Sequence, residues 1–273
     1  MSLPLKPWLW KIILEVLFTC GIVYAFIFGF KLRGRQHVPS STFKPQLSDS
    51  DVDTLLRTLE MFDKLMTENN ITYILEGGTL IGSFRHHGPI PWDDDVDVMV
   101  NASDRSRLAE LLPQMRPDFD LFTPVNYAWK FYDAKSKHLP YKPFRWPYVD
   151  IFFWGNNETH MYHEISVRRP QFTAPTSKIL PPVRRKFAYL SLPVPCNLNI
   201  GLHSVHLDMC ESPRYSHKAE KYLPLQKHTV VPCSELGQRY GFVKHAQMTD
   251  GRWNESMVYR GMVLYSVITP KYC

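Results

Sequence analysis

Residues 88–100, "GPIPWDDDVDVMV", crowd Asp93, Asp94, Asp95 and Asp97 together and run straight into an apolar segment. The alternation in "DDDVDVMV" predicts a strand with Asp95 and Asp97 on one face and Val96, Val98 and Val100 on the other. Two carboxylates then point the same way about 7 Å apart along the backbone. Side by side they repel, and the arrangement is favourable when a divalent cation neutralises it. Hard oxygen ligands of this kind suit Mg2+ or Mn2+. The competing reading is a solvated acidic turn leading into a strand.

Two neighbouring segments favour the cation. In "ITYILEGGTLIGSFRHHG", residues 71–88, Ile71 to Leu75 has the composition of a short strand. The Gly77-Gly78 pair that ends it lets the backbone approach a ligand closely or turn tightly. Thr79 to Arg85 has room for one or two helical turns, whose free N–H groups would face an anion lying over the glycines. In "WPYVDIFFW", residues 146–154, Asp150 sits in the middle of a strongly β-forming run, where an unpaired charge is costly. A metal shared with Asp95 and Asp97 would compensate it. Glycines after a first strand, paired acids on a second and a lone acid on a later one form the pattern of a nucleotidyltransferase-type site, where cations can clamp an in-line displacement at phosphorus. The expected architecture is α/β (α+β), a mixed sheet flanked by helices, with a membrane helix before it.

The stretch "LEGGTLIGSFRHHGPIPWDDDVDVMV", residues 75–100, resembles the signature of the LicD family, to which fukutin and fukutin-related protein also belong. "YVDIFFW", residues 148–154, resembles that family's following acidic strand. The resemblance implies a nucleotidyltransferase-like fold and transfer of a phosphorylated alcohol, of the ribitol phosphate or phosphocholine type, from a CDP-linked donor to a glycan or glycoprotein acceptor, with CMP leaving. By position, Asp95, Asp97 and Asp150 inherit the metal-binding and catalytic roles, Asp150 either ligating metal or taking the acceptor hydroxyl's proton. Gly77 and Gly78 inherit the phosphate-facing turn, and Arg85 a place on the donor side. The chain departs from the animal relatives in having a short stem for their large extra N-terminal domain, and in lacking their zinc-binding insertion. True nucleotidyl transfer releasing pyrophosphate and a catalytically inactive glycan- or nucleotide-binding protein are the alternatives.

The 273 residues, 44% of them hydrophobic, can bury one large core, and a net charge of +6 with no long Lys/Arg block argues against nucleic acid as a partner. Ile12 to Phe30, interrupted only by Glu15, is long enough for a single-pass membrane anchor. The chain then divides into a cytoplasmic tail at 1–11, a signal-anchor at 12–30, a Ser/Pro-rich stem at 31–50 and a catalytic domain at 51–273. Lys31, Arg33 and Arg35 after the span favour a cytoplasmic domain. Sequons at Asn70, Asn101, Asn157 and Asn254 favour a luminal one, and with the resemblance give a type II protein of the Golgi or endoplasmic reticulum. Cys196, Cys210, Cys233 and Cys273 suit two disulfides, against a looser zinc pattern of His203, His206, Cys210 and Cys196. Asp51 to Glu68 reads as an amphipathic core helix capped by Ser48 or Ser50. Arg168, Arg169, Arg184, Arg185 and Lys186 form two basic clusters, either solvated faces or contacts to the donor diphosphate. His86 and His87 either brace the hairpin or move protons.

Overall fold

Ser48 starts the first helix: its hydroxyl accepts the Asp51 amide while the Asp51 carboxylate accepts the Ser48 amide, a reciprocal cap. From there α1, Asp49–Glu68, buries Leu55, Leu59, Phe62 and Met66 along one stripe. Each such side chain contributes about 1.5–3 kcal/mol of burial. The computed structural model describes residues 42–170, 172–202, 206–270 and 273. The tail at 1–11, the span at 12–30, most of the stem and His203 lie outside them. Among the described residues no helix is long and apolar enough to cross a membrane. The domain begins earlier than residue 51: Phe43 is fully buried, edge-on to Trp92, and its carbonyl accepts from Arg239 and Tyr240.

The chain is mixed α/β. Its main sheet has the order β1-β2-β5-β4-β3, with β6 and β7 attached through β5. The strands are β1 Tyr73–Leu75, β2 Val96–Asn101, β3 Phe119–Phe122, β4 Trp129–His138, β5 Arg145–Asn156, β6 His160–His163 and β7 Thr173–Pro175. Strand β2 runs parallel to β5, placing Asp97 beside Asp150; the other pairings are antiparallel. The second helix, α2 Gly77–Arg85, follows β1 directly, and α3, Arg105–Leu111, follows β2. One face of the sheet packs Val96, Val98, Val100, Val149 and Ile151 against α1 in the larger core. The other holds the acids and, beyond them, a second core with Ile74, Met99, Phe152 and Trp154.

The rest of the chain forms small sheets. Strands β8 Val183–Phe187 and β9 Leu190–Val194 make a hairpin, followed by the short α4, Leu198–Leu202. Strands β10 Met209–Glu211 and β13 Val230–Pro232 pair as a ribbon joined by the Cys210–Cys233 disulfide. Between them the chain makes an excursion carrying β11 Tyr215–Ser216 and β12 Lys221–Tyr222. Strands β14 Phe242–Gln247, β15 Trp253–Tyr259 and β16 Met262–Thr269 form a meander, and Cys196 pairs with Cys273.

Candidate active site

Strand geometry places the acids. Asp95 lies just before β2 and Asp97 inside it, both on the face opposite the three valines, while Asp150 is the cross-strand neighbour of Asp97. Carboxylate oxygens of Asp95, Asp97 and Asp150 lie within 4.8 Å of one another. Asp95 and Asp150 are buried and Asp97 is half-buried. Burial and mutual repulsion act together. The Asp97 carboxyl is pushed up to about 7 by burial and then by Asp150. Burial, followed by Asp97, Asp93, Asp150 and Asp94, holds Asp95 well above the usual carboxylate range.

The two glycines stand where close approach requires them. Gly77 opens α2 at φ +53°, and a Cβ there would lie 3.0 Å from Asp97 Oδ2. At Gly78 it would lie 2.6 Å from Asp93 Oδ2. Only residues without a side chain bring this helix start against the acid strand. The seam is stitched by the Glu76 amide donating to the Asp97 carbonyl at 3.2 Å and the Asp97 amide donating to Thr79 Oγ1 at 2.7 Å.

Asp150 is not left to a cation alone. Lys130 on β4, opposite it in the register, donates to Asp150 Oδ1 at 2.8 Å and lies 3.6 Å over the Tyr148 ring. The local sequence "WKFYD" gives Lys130 no distinction beyond being a charged residue inside an aromatic strand. Glu220, from the 212–229 excursion, lies 4.0 Å from the same Lys130 and accepts from Tyr148. His217, from the same excursion, reaches Asp94 Oδ1 at 2.9 Å and Asp95 Oδ2 at 3.0 Å with its two ring nitrogens. Nothing local in the sequence marks His217 or Glu220; only the fold brings them across.

Asp94 has a role of its own. It is buried and accepts from the backbone amides of His217 at 3.1 Å and Lys218 at 2.9 Å. Burial raises its pKa, but the bonds and charge of His217 and the amide bonds outweigh that and hold it below the usual carboxylate range. Asp94 therefore clasps the excursion over the site.

Arg85 is also displaced from its expected donor-side place. It is buried, and its Nη1 donates to the Met209 carbonyl at 2.9 Å and contacts the sulfurs of Cys233 at 3.0 Å and Cys210 at 3.3 Å. Sitting at the C-terminal end of α2, it points toward the β10–β13 ribbon instead of the helix start where the glycines lie. The basic clusters separate in the same way. Arg184 pairs with Asp63, and buried Arg185 pairs with Glu255 at 2.7 Å. Arg168 alone of the two clusters stands by the acids, 4.0 Å from Glu76. His86 and His87 brace: His86 Nδ1 meets the Gly241 carbonyl at 2.8 Å, and His87 Nε2 meets Glu255 at 2.8 Å.

Glu76, immediately before the glycines, is the other group that sequence reading passes over. Burial and then the charge of Asp97 push its carboxyl up to about 8, against the pull of Arg168. Its Oε1 is 3.7 Å from His163 Nε2. Glu76 Oε2 and His163 Nε2 are buried without a hydrogen-bond partner among the described residues.

An all-oxygen set of three converging carboxylates, each raised toward neutrality chiefly by burial, fits a hard divalent cation such as Mg2+. Residues 70–197 match the family described as LicD/FKTN/FKRP, nucleotidyltransferase domain. The chain is 31% identical over 101 residues to an uncharacterized protein of Rickettsia typhi, covering 37% of this chain and 33% of that one. It is 45% identical over 56 residues to the lipopolysaccharide cholinephosphotransferase LicD of Haemophilus influenzae, covering 20% of this chain and 21% of that one. The matches thus span about a third or less of these relatives' own length. The solution structure of the antibiotic-resistance factor ANT(2'')-Ia overlaps at a TM-score of 0.37 with 10% identity, covering 62% of this chain and 80% of that one, a likeness too slight to bear on the site.

Proposed function

This chain belongs to the LicD family through residues 70–197, and from that premise we propose that it is a metal-dependent transferase moving a phosphorylated alcohol from a CDP-linked donor to a glycan, with CMP leaving. The observation that carries the reading is the convergence of Asp95, Asp97 and Asp150 at the glycine-opened start of α2. Asp95, Asp97 and Asp150 would hold Mg2+ or Mn2+, which when bound supplies positive charge to a donor phosphate and to the leaving CMP. Gly77 and Gly78 bring the start of α2 against the acids, where its free N–H groups would face a diphosphate held by the metal. Lys130 orients the Asp150 carboxylate and opposes, without cancelling, the upward push of burial on it; Asp150, fixed beside Asp97, is read as a ligand. Glu76, unpaired at Oε2 and raised to about 8, is better suited to hold a proton beside the site.

The fold supports a nucleotidyltransferase-like core with an appended C-terminal part. The Cys196–Cys273 and Cys210–Cys233 pairs support a domain in an oxidising compartment such as the lumen of the Golgi or endoplasmic reticulum, and the apolar run at 12–30 is read as its membrane anchor. The full chain, purified in detergent and incubated with CDP-alcohols, Mg2+ and a glycan mixture, should release CMP. Pyrophosphate from a nucleoside triphosphate would instead support nucleotidyl transfer, and no metal-dependent product from either donor class would leave the pseudoenzyme reading.

A further inference from the structure

A cavity of about 510 Å³ opens at the start of β4, along the edge of β5 beyond Asp150. It lies where the edge of β5 passes from one partner to another: β4 pairs as far as Ile151, β6 takes over from Trp154, and Phe152 and Phe153 between them face the gap. Phe152 lies two residues beyond Asp150 on the same face of the strand, about 7 Å along it. One strand, β5, thus carries both an acid of the site and part of the cavity's lining.

The chemistry of the lining narrows its ligand. Arg105 lies 4.1 Å over the Phe153 ring and Arg168 lies 4.3 Å over the Phe152 ring. One face of each ring thus already carries a cation, which disfavours a second cation such as a quaternary ammonium there. The open aromatic is Tyr127, at the rim and 75% exposed, with Val125 beside it at 81%. Planar polar groups face it: Asn126 lines the cavity with Ser166, and Arg105 is paired with Glu164 while their side chains stay 43% and 34% exposed. One free aromatic face, with fork-shaped donors and a carboxylate within the same cleft, suits a sugar ring, whose C–H face stacks while neighbouring hydroxyls hydrogen-bond. The cleft opens to solvent at Val125 and Tyr127, so a sugar that continues into a larger glycan or glycoprotein can enter it.

We propose that this cavity is the acceptor subsite, seating a sugar ring of the glycan against Tyr127 with its hydroxyls on Glu164, Arg105 and Asn126. The assignment rests on the transferase reading for the word acceptor, and on the cavity alone for the sugar. The test is binding of the full chain in mild detergent to a broad printed array of defined glycans, without donor or metal. The expected result is retention of at least one glycan class by the parent and equally by Asp97→Asn, with about tenfold weaker retention by Tyr127→Ala and by Glu164→Gln. Both of those variants should melt as the parent does, since both side chains lie at the surface. Failure to retain any glycan, or equal retention by Tyr127→Ala and Glu164→Gln, overturns the proposal. So does displacement of the bound glycan by CMP in metal-free Asp97→Asn, which would give the cavity to the donor's nucleoside. Loss of transfer in Asp97→Asn with glycan retention intact separates the fate of the transferase reading from that of the subsite.

Discussion

At the scale of single residues, two aspartates three positions apart, Asp94 and Asp97, behave as opposites. The strand of Asp97 is held by Val96, Val98 and Val100 on the far face, all fully buried. Asp97→Asn should abolish most transfer while keeping the fold, and should melt no lower than the parent in metal-free buffer because a repulsion is relieved. Added Mg2+ should raise the melting temperature of the parent far more than that of the variant, and equal shifts with activity retained would remove the metal site from the account. Asp94→Asn should do the reverse. An amide in place of its carboxylate sets an NH2 against the donors of His217 and Lys218, so it should cost about 1–3 kcal/mol in denaturant unfolding. A variant as stable as the parent would mean that the 212–229 excursion is not clasped through Asp94.

At the scale of elements, α2 is the hinge of the design. Its first residues need the left-handed backbone and the lack of a side chain at Gly77, and its middle needs Gly82, where a Cβ would stand 2.4 Å from the Gly88 carbonyl oxygen. That contact is with backbone and cannot be relieved by a rotamer. Gly82→Ala should therefore destabilise by several kcal/mol, about the upper end for a single substitution, and reduce soluble yield. The β14–β16 meander is tied to the loop after α2 through Glu255, which takes Arg185, His87 and His245 together in a buried cluster. Glu255→Gln strands the buried Arg185 charge and should cost about 3–5 kcal/mol, read as a lowered denaturation midpoint. A near-neutral result would mean that the cluster is solvated in solution.

At the scale of the whole molecule, the acid cluster and the Glu255 cluster set opposing pH limits. In metal-free protein the Asp97 and Glu76 carboxyls stand at about 7 and about 8 against 3.8 and 4.5 in the unfolded chain. The folded state thus holds protons that the unfolded state has released, and stability falls as pH rises from about 4 to about 8. Glu255 is shifted the other way, so its contribution is full above an unfolded value of 4.5 and is lost on acidification. Melting in chelator should therefore be highest in weak acid, near about pH 5, and decline toward about pH 8, while Mg2+ should restore more at the higher pH because it displaces protons. A flat profile with a pH-independent Mg2+ effect would contradict the burial of the cluster. Topology is tested by the sequons: Asn70 and Asn157 are exposed, whereas Asn101 and Asn254 are half-buried in strands. A luminal domain should show a glycosidase-sensitive mobility shift that disappears in Asn70→Gln/Asn157→Gln, and a parent without any shift would argue for the cytoplasmic orientation.

What the sequence determined by itself is what local periodicity encodes. Alternation put Asp95 and Asp97 on one face and three valines on the other, the helical stripe and Ser48 cap marked α1, and the glycine pair marked the place of closest backbone approach. The even set of cysteines suited two disulfides. What only the tertiary structure decided is which charges meet. Lys130 reaches Asp150 because β4 pairs with β5 in one register, and His217 and Glu220 arrive from more than a hundred residues past the motif. Arg85 turns to a disulfide ribbon far along the chain, and the cavity exists only because two strands share one edge of β5. Periodicity fixes the direction in which a side chain leaves its own strand or helix; the partner it finds depends on long-range pairing, which leaves no signature in the residues beside it.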